Sequence, residues 1–288
     1  MKALVLLREV LDATLPLEPG DGQGPRVKGQ EAIRVLNPAD RAALEWACRL
    51  RQGEITALTV GPPEVEGILR LALARGASRA IRAWVGGMEG SDAPALARLL
   101  ALAVDRLGPD LVLTGDRSLE GGTGLVPGLL AARLGWPHLD GATHLGRDGG
   151  RIVVRRRLER GWREEVEATP PVVVAVEAGS IEPRYVSVRV RREALARPLE
   201  VWGAAHLGVD VAAVKGWVRS EVASLDWPRP RPRRVTLPDA RLTAGERMRR
   251  LMTAGPTPLR TGEGRLLEGG PREIAERLVR FLEERGLL

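Results

Sequence analysis

Cys48 is the only cysteine in the 288-residue chain, so no intramolecular disulfide can form. The three histidines, His138, His144 and His206, are scattered without ligand spacing, which argues against a metal site. The longest apolar runs, such as Ala3–Leu7 and Val172–Val176, fall far short of the roughly 18 residues needed to span a bilayer. Met1-Lys2-Ala3-Leu4 enters a strand-like segment with no cleavage pattern, so the expectation is a cytoplasmic protein without a signal peptide. Hydrolytic signatures are missing too: there is no G-x-S-x-G elbow, no H-E-x-x-H and no Cys–His pairing with plausible spacing. Glu120 could act as a base, but no nucleophile or metal accompanies it, and Glu9 and Asp12 read as solvated or structural. No catalytic residue is expected.

Lysine occurs only at positions 2, 28 and 215, asparagine only at Asn37, and glutamine three times. Scarcity of amides is a thermophile habit, though a GC-rich genome also favours Arg, Ala, Gly and Pro. The net charge of +7 is concentrated in residues 215–260, which hold eleven Lys and Arg against four Asp and Glu. The rest of the chain is balanced, so that stretch reads as a solvated tail or one packed on an acidic partner rather than as a nucleic-acid surface.

What is present reads as alternating strands and helices. Ala3–Leu7, Ile55–Val60, Arg79–Val85 and Asp110–Thr114 have the character of buried parallel strands. Between them, helices are predicted from Asn37 to Leu50, Glu64 to Arg75 and Asp92 to Leu107, with a fourth over Thr123–Leu134. Pro38 suits a first helical position, and Gly76, Gly108 and Gly135 suit helix stops. Crossover units at this spacing predict a Rossmann-like α/β fold, a mainly parallel sheet with helices on both faces. Pro16–Gln30 reads as a loop or irregular hairpin, and Arg151–Leu158 with Glu164–Ala168 as a hairpin. Val172–Val176 is another buried strand, and residues 179–201 show no clear period. Trp227–Pro238, with four prolines between arginines, reads as an extended linker. An amphipathic helix is predicted over Pro271–Arg285. The expected division is a nucleotide-binding domain over 1–205 and a C-terminal arm and helix over 206–288.

Ligands of such sheets bind beyond the carboxyl ends of the strands. The loop Gly115-Asp116-Arg117-Ser118-Leu119-Glu120-Gly121-Gly122-Thr123-Gly124 follows a strand and enters a helix N-terminus, where free N–H groups attract an anion. Its glycines allow close backbone approach, and Thr123 can cap the helix or bond a phosphate. It is neither a P-loop nor a GxGxxG fingerprint, and the glycines alone are equally consistent with a tight turn. Asn37 can be a helix cap, a wall of the same site, or both.

Taken together, several segments resemble the electron transfer flavoprotein beta subunit family. They are Lys2-Ala3-Leu4-Val5 through Arg8-Glu9-Val10 to Asp12, Asn37-Pro38-Ala39-Asp40 with Ala43-Leu44-Glu45, Val60-Gly61-Pro62-Pro63 and Gly76-Ala77-Ser78-Arg79-Ala80. Pro109–Gly115 leading to Thr123-Gly124 and Leu134-Gly135-Trp136-Pro137 continues the order. The sharpest match is Pro170-Pro171-Val172-Val173-Val174 followed by Glu182-Pro183-Arg184-Tyr185, and the whole spans residues 1–210. The resemblance implies the adenine nucleotide alpha hydrolase-like variant of the fold. It also implies a heterodimer with a larger alpha subunit that holds most of a shared FAD. An AMP, or in some members a second FAD, would lie in this chain. Electrons would come from dehydrogenases, often of the acyl-CoA type as in fatty acid oxidation, and go to a membrane quinone reductase. By position the nucleotide pocket would comprise Leu6, Asn37, Pro38, Ala39, Asp40, Val60 and the run Gly115, Asp116, Arg117, Ser118, Leu119, Glu120, Gly121, Gly122, Thr123, Gly124, Leu125 and Val126. A partner-docking loop would fall at Tyr185–Leu195, with Tyr185, Val188, Arg189, Arg191, Arg192 and Leu195. The chain departs from the family at Arg117, Gly122 and Leu125 in the phosphate loop and at Ala39, which cannot stack on a flavin. It departs again at Val188-Arg189, where Leu-Pro is usual, and an insertion falls around Arg241–Gly262. A free-standing adenine-nucleotide sensor of the same broad fold is the alternative.

Overall fold

Strand β1 (Ala3–Leu7) is apolar at every position, and both its faces are covered. In a computed structural model of the chain, Val5 and Leu7 pack into one core, and Leu4 and Leu6 into another on the opposite face. That is the strand alternation of side chains, with helices on each side instead of solvent. The structure describes residues 1–12, 17–19, 25–27, 33–50, 53–221, 223, 243–246, 248 and 269–284. It divides into two compact units, Met1–Asp226 and Trp227–Leu288.

In the first unit β1 leads through β2 (Glu9–Leu11) to β5 (Arg34–Leu36), with which β2 pairs antiparallel. Between them the short strands β3 (Leu17–Pro19) and β4 (Pro25–Val27) form an antiparallel pair, the hairpin form of the two readings of that segment. Helix α1 (Pro38–Leu50) begins on Pro38, whose missing N–H costs nothing at that position. Then come β6 (Ile55–Val60), α2 (Glu66–Arg75), β7 (Arg79–Ala83), α3 (Ala93–Leu107), β8 (Leu111–Gly115) and α4 (Leu125–Leu134). Gly76, Gly108 and Gly135 end α2, α3 and α4. The meander β9 (His138–Asp148), β10 (Arg151–Arg157) and β11 (Arg163–Ala168) precedes β12 (Val172–Val176). After it come α5 (Val188–Ala196), β13 (Glu200–Trp202), α6 (Ala204–Leu207) and α7 (Val211–Val214).

The nine-stranded sheet has the order β11-β10-β9-β12-β8-β1-β6-β7-β13, and among its pairings only those of β10 are antiparallel. The mainly parallel α/β architecture is therefore as expected. Leu44, Ile68 and Leu69 of α1 and α2 fill one face, and Leu99, Leu100 and Leu130 of α3 and α4 fill the other. The chain winds from β1 outward to β6 and β7, then returns through α3 to β8 on the other side of β1. That reversal opens a crevice between the carboxyl ends of β1 and β8, the topological switch point at which such sheets hold ligands.

Some boundaries differ from the sequence reading. β7 stops at Ala83, two residues early, and α4 starts at Leu125 rather than Thr123, because Gly124 is left-handed (φ 64°). α2 begins at Glu66, behind a separate 3-10 turn at Pro63–Val65. The aperiodic stretch 179–201 contains helix α5 and the first two residues of strand β13. In the second unit, α8 (Pro271–Glu283) leaves Leu278, Val279 and Phe281 exposed. The linker expected at Trp227–Pro238, most of Arg241–Gly262, and Arg285 lie outside the described residues. No described helix is long and apolar enough to cross a membrane.

Candidate nucleotide site at the switch point

The crevice is held by one carboxylate. Asp40, in the first turn of α1, accepts the Arg8 N–H on Oδ2 at 2.7 Å and the Gly115 N–H on Oδ1 at 2.8 Å. It thus ties the exit of β1 to the end of β8. Burial pushes its carboxyl up to about 7, against the hydrogen bonds from Arg8, Asn37 and Gly115 that favour the charged form. Gly115 has no room for a side chain: a Cβ there would stand 2.4 Å from Asp40 Oδ1 and 2.6 Å from the Ala39 Cβ. Pro38 and Ala39 support the crevice from behind and are not on its wall.

Asn37 does two things. Its carbonyl accepts the Arg41 N–H at 2.9 Å, the first bond of α1. Its side chain turns away to the loop after β8, where Nδ2 donates to the Arg117 carbonyl at 3.0 Å and Oδ1 accepts from the Leu119 N–H at 3.3 Å. The single asparagine is therefore a helix start and a strap on the glycine loop at once.

Within that loop, Asp116 accepts from the Arg117 N–H and Nε at 2.9 and 3.0 Å. Ser118 Oγ accepts from the Gly121 N–H at 3.2 Å, and Gly122, at φ 61°, donates to the Ser118 carbonyl at 2.9 Å. Gly124 precedes α4 without a side-chain cap, and a Cβ on it would press to 3.2 Å from the Asp116 carbonyl. Thr123 Oγ1 accepts from the Leu125 N–H at 3.4 Å. Glu120 is not placed as a base. Its Oε2 meets Arg8 Nη2 at 3.0 Å and its Oε1 accepts the Leu11 N–H at 3.0 Å, which fastens the loop to the turn after β1.

Above these elements opens a cavity of about 1130 Å³, just above the roughly 300–1,000 Å³ usual for small-molecule sites. Leu6, Asn37, Asp40, Val60, Gly115–Ser118, Glu120, Gly121 and Thr123–Val126 line it. Leu119 and Gly122, which are exposed, do not line it, and neither do Pro38 and Ala39. Sequence reasoning missed an apolar lobe of Leu58, Trp84, Met88, Leu96 and Leu100, and a charged rim of Arg8, Glu9, Arg34 and Glu64. It also missed a closure in which Asp92 Oδ2 accepts the Arg219 N–H at 2.8 Å and the Ser220 N–H and Oγ at 3.0 Å each. Arg8 and Glu9 directly follow β1, so their place at a strand's carboxyl end was a usable signal. The Asp92 closure joins residues 127 positions apart, and no local pattern announces it.

Of the two readings of Glu9, solvated or structural, the structure excludes the first. Its side chain is 8% exposed, Oε2 has no hydrogen-bond partner among the described residues, and Arg34 Nη1 forms an ion pair with it at 3.8 Å. Burial pushes its carboxyl up, Arg34 draws it down, and Glu120 and Glu64 raise it further. The arrangement fits a nucleotide: an apolar lobe for a base, a glycine cradle at a helix start for a phosphate, and polar groups between. Among the described residues no cluster of three His, Cys, Asp or Glu could hold a metal ion.

On the opposite helical layer, Glu45 of α1 is buried and receives Arg184, Nη2 at 3.0 Å and Nε at 3.1 Å, with the Arg184 N–H adding a bond at 3.1 Å. That pair anchors the segment carrying the expected docking residues. Ser187 caps α5, its Oγ accepting from the Val190 N–H at 3.4 Å, so a helix stands where a loop was expected. Tyr185 is 86% exposed; Val188, Leu195, Arg189, Arg191 and Arg192 are exposed as well, with Arg189 paired to Glu193 at 2.8 Å.

Residues 29–207 match the electron transfer flavoprotein domain family. The electron transfer flavoprotein subunit beta of Methylophilus methylotrophus is 34% identical over 194 residues, covering 64% of this chain and 74% of the relative. The corresponding subunit of Bradyrhizobium diazoefficiens is 31% identical over 219 residues, 74% of this chain and 86% of its own. The acryloyl-CoA reductase electron transfer subunit gamma of Anaerotignum propionicum is 30% identical over 173 residues, 58% and 65% of the two chains. With the family matched over residues 29–207, more than half of the chain, and a beta subunit 31% identical over 74% of it, the chain belongs to the electron transfer flavoprotein beta subunit family.

Proposed function

We propose that the chain is the beta subunit of a heterodimeric electron carrier and that its cavity holds an adenine nucleotide, either AMP or a second FAD. The observation that carries the reading is the cavity at the β1/β8 switch point, with its glycine cradle at the start of α4 and its apolar lobe beneath α3. In this reading a larger alpha subunit holds most of a shared FAD, whose chemistry is reversible acceptance of electrons. This chain's own residues bind and orient: the loop from Gly115 to Val126 takes a phosphate, and Leu58, Trp84, Leu96 and Leu100 take a base. Of the C-terminal segment, the part beyond Asp226, with the apolar stripe of α8, packs on the alpha subunit. Donors are dehydrogenases of the acyl-CoA type, the acceptor is a membrane quinone reductase, and the complex works in the cytoplasm.

Helix α5 with Tyr185 is the docking surface for the redox partner, because its arginines and apolar side chains add little to the core. The double substitution Arg189→Ser and Arg191→Ser tests this. The expected change in stability is within about 0.5 kcal/mol, since exposed pairs such as Arg189–Glu193 contribute little. Flavin content should also hold, while electron transfer from the donor dehydrogenase slows by on the order of tenfold at low ionic strength. The difference should fade as salt approaches about 0.15 M, where the Debye length is about 8 Å. An unchanged rate at low salt, or loss of flavin, contradicts the assignment.

A further inference from the structure

We propose that Glu9 is the acceptor for the sugar hydroxyls of the nucleotide in this cavity, an inference that rests on the nucleotide reading above. Glu9 lies just past the carboxyl end of β1, on the cavity wall, and β2 holds its backbone against Leu36 of β5. Its side chain is 8% exposed, and Oε2 has no hydrogen-bond partner among the described residues. A buried carboxylate oxygen without a hydrogen-bond donor costs the chain stability, and a ligand that brings such a donor relieves that cost on binding.

The surroundings say which donors fit. Glu64 and Glu120 share this rim with Glu9. Arg8 is tied to Glu120 at 3.0 Å, and Arg34 stands 3.8 Å from Glu9. Three carboxylates against two guanidiniums repel a phosphate, which therefore belongs at the α4 end. A neutral group with O–H donors meets the unpaired oxygen without adding charge. A ribose or ribityl chain lies between base and phosphate and brings such hydroxyls, the chemistry by which acidic residues in related sheets take a ribose diol.

Calorimetric titration of the full chain, freed of nucleotide, with AMP, 2′-deoxy-AMP and 3′-deoxy-AMP tests this in wild type, Glu9→Ala and Glu9→Gln. Wild type is expected to bind at least one deoxy analogue roughly ten- to hundredfold more weakly than AMP, the range for a hydrogen bond to a charged group. Glu9→Ala should bind all three alike, Glu9→Gln should fall between, and neither variant should melt below wild type without ligand. Discrimination that survives in Glu9→Ala, or variants that melt several degrees lower, overturns the assignment. Wild type binding AMP and both analogues equally overturns it while leaving the nucleotide reading intact. Failure of wild type to bind any of them, or FAD titrated in the same way, overturns both. A parallel titration with IMP separates hydroxyl from base: loss of AMP-over-IMP preference in Glu9→Ala, with deoxy discrimination kept, assigns Glu9 to the base amine instead.

Discussion

Asp40→Asn is expected to cost the chain about 1–3 kcal/mol, the penalty for a buried donor left without an acceptor. Asparagine is nearly the same size, but only one of its two terminal atoms accepts. Either the Arg8 N–H or the Gly115 N–H would face an amide donor where Asp40 now offers oxygens at 2.7 and 2.8 Å. The damage falls on the join between β1 and β8, so nucleotide binding should weaken along with the fold. The pH dependence provides a second signature. Burial raises the Asp40 carboxyl to about 7, whereas in the unfolded chain it titrates near about 3.9. Between these values the folded chain keeps a proton that the unfolded chain has released, so this group's contribution to stability is lost as pH rises from about 4 through 7. Urea unfolding across that range should show the gap between wild type and Asp40→Asn widest near pH 4 and narrowing towards pH 7. Parallel profiles would contradict this assignment of the proton.

Gly115→Ala should be as damaging, for steric reasons. The new methyl would lie 2.4 Å from Asp40 Oδ1, 2.6 Å from the Ala39 Cβ and 2.9 Å from the Asp40 backbone nitrogen. None of these is the free end of a flexible side chain, so the start of α1 must move. Overpacking of this kind costs about 1–3 kcal/mol, and here it also breaks the Asp40 tie. Gly121→Ala is the matched control: its Cβ would meet only Ser118 Oγ at 3.4 Å, and a change within about 0.5 kcal/mol is expected. Denaturant midpoints of the two variants decide the matter. Equal midpoints would mean that glycine at 115 serves the turn and not the close approach of α1.

The contrast shows what local sequence can carry. Glycines at 115, 121, 122 and 124 mark a loop wherever they occur, but which one is needed for space depends on α1, about 75 residues earlier. The apolar runs of β1, β6, β8 and β12 were readable because strands buried on both faces leave no polar positions. The start of α1 was readable because Pro38 and Asp40 act within one turn. β9 was not: its eleven residues include Gly141, Gly146, Asp140 and two histidines, and their extended form comes from pairing with β10 and β12. α5 was hidden because Val188-Arg189-Val190-Arg191 alternates like a strand, while its cap and the Glu45–Arg184 anchor set the helix. At the site, Asn37 and the glycine loop stood out by residue type. The carboxylate oxygen left without a hydrogen-bond partner at Glu9 follows only from what the fold places around it.

In the proposed assignment this chain works as one subunit of a flavin-bearing pair with an adenine nucleotide in its own cavity. The direct measurement is co-expression with its larger partner subunit, followed by an absorption spectrum of the purified complex and chromatography of what denaturation releases. A yellow heterodimer is expected, releasing FAD and, where the second site holds AMP, AMP as well. A colourless chain that purifies alone and releases no nucleotide would contradict it.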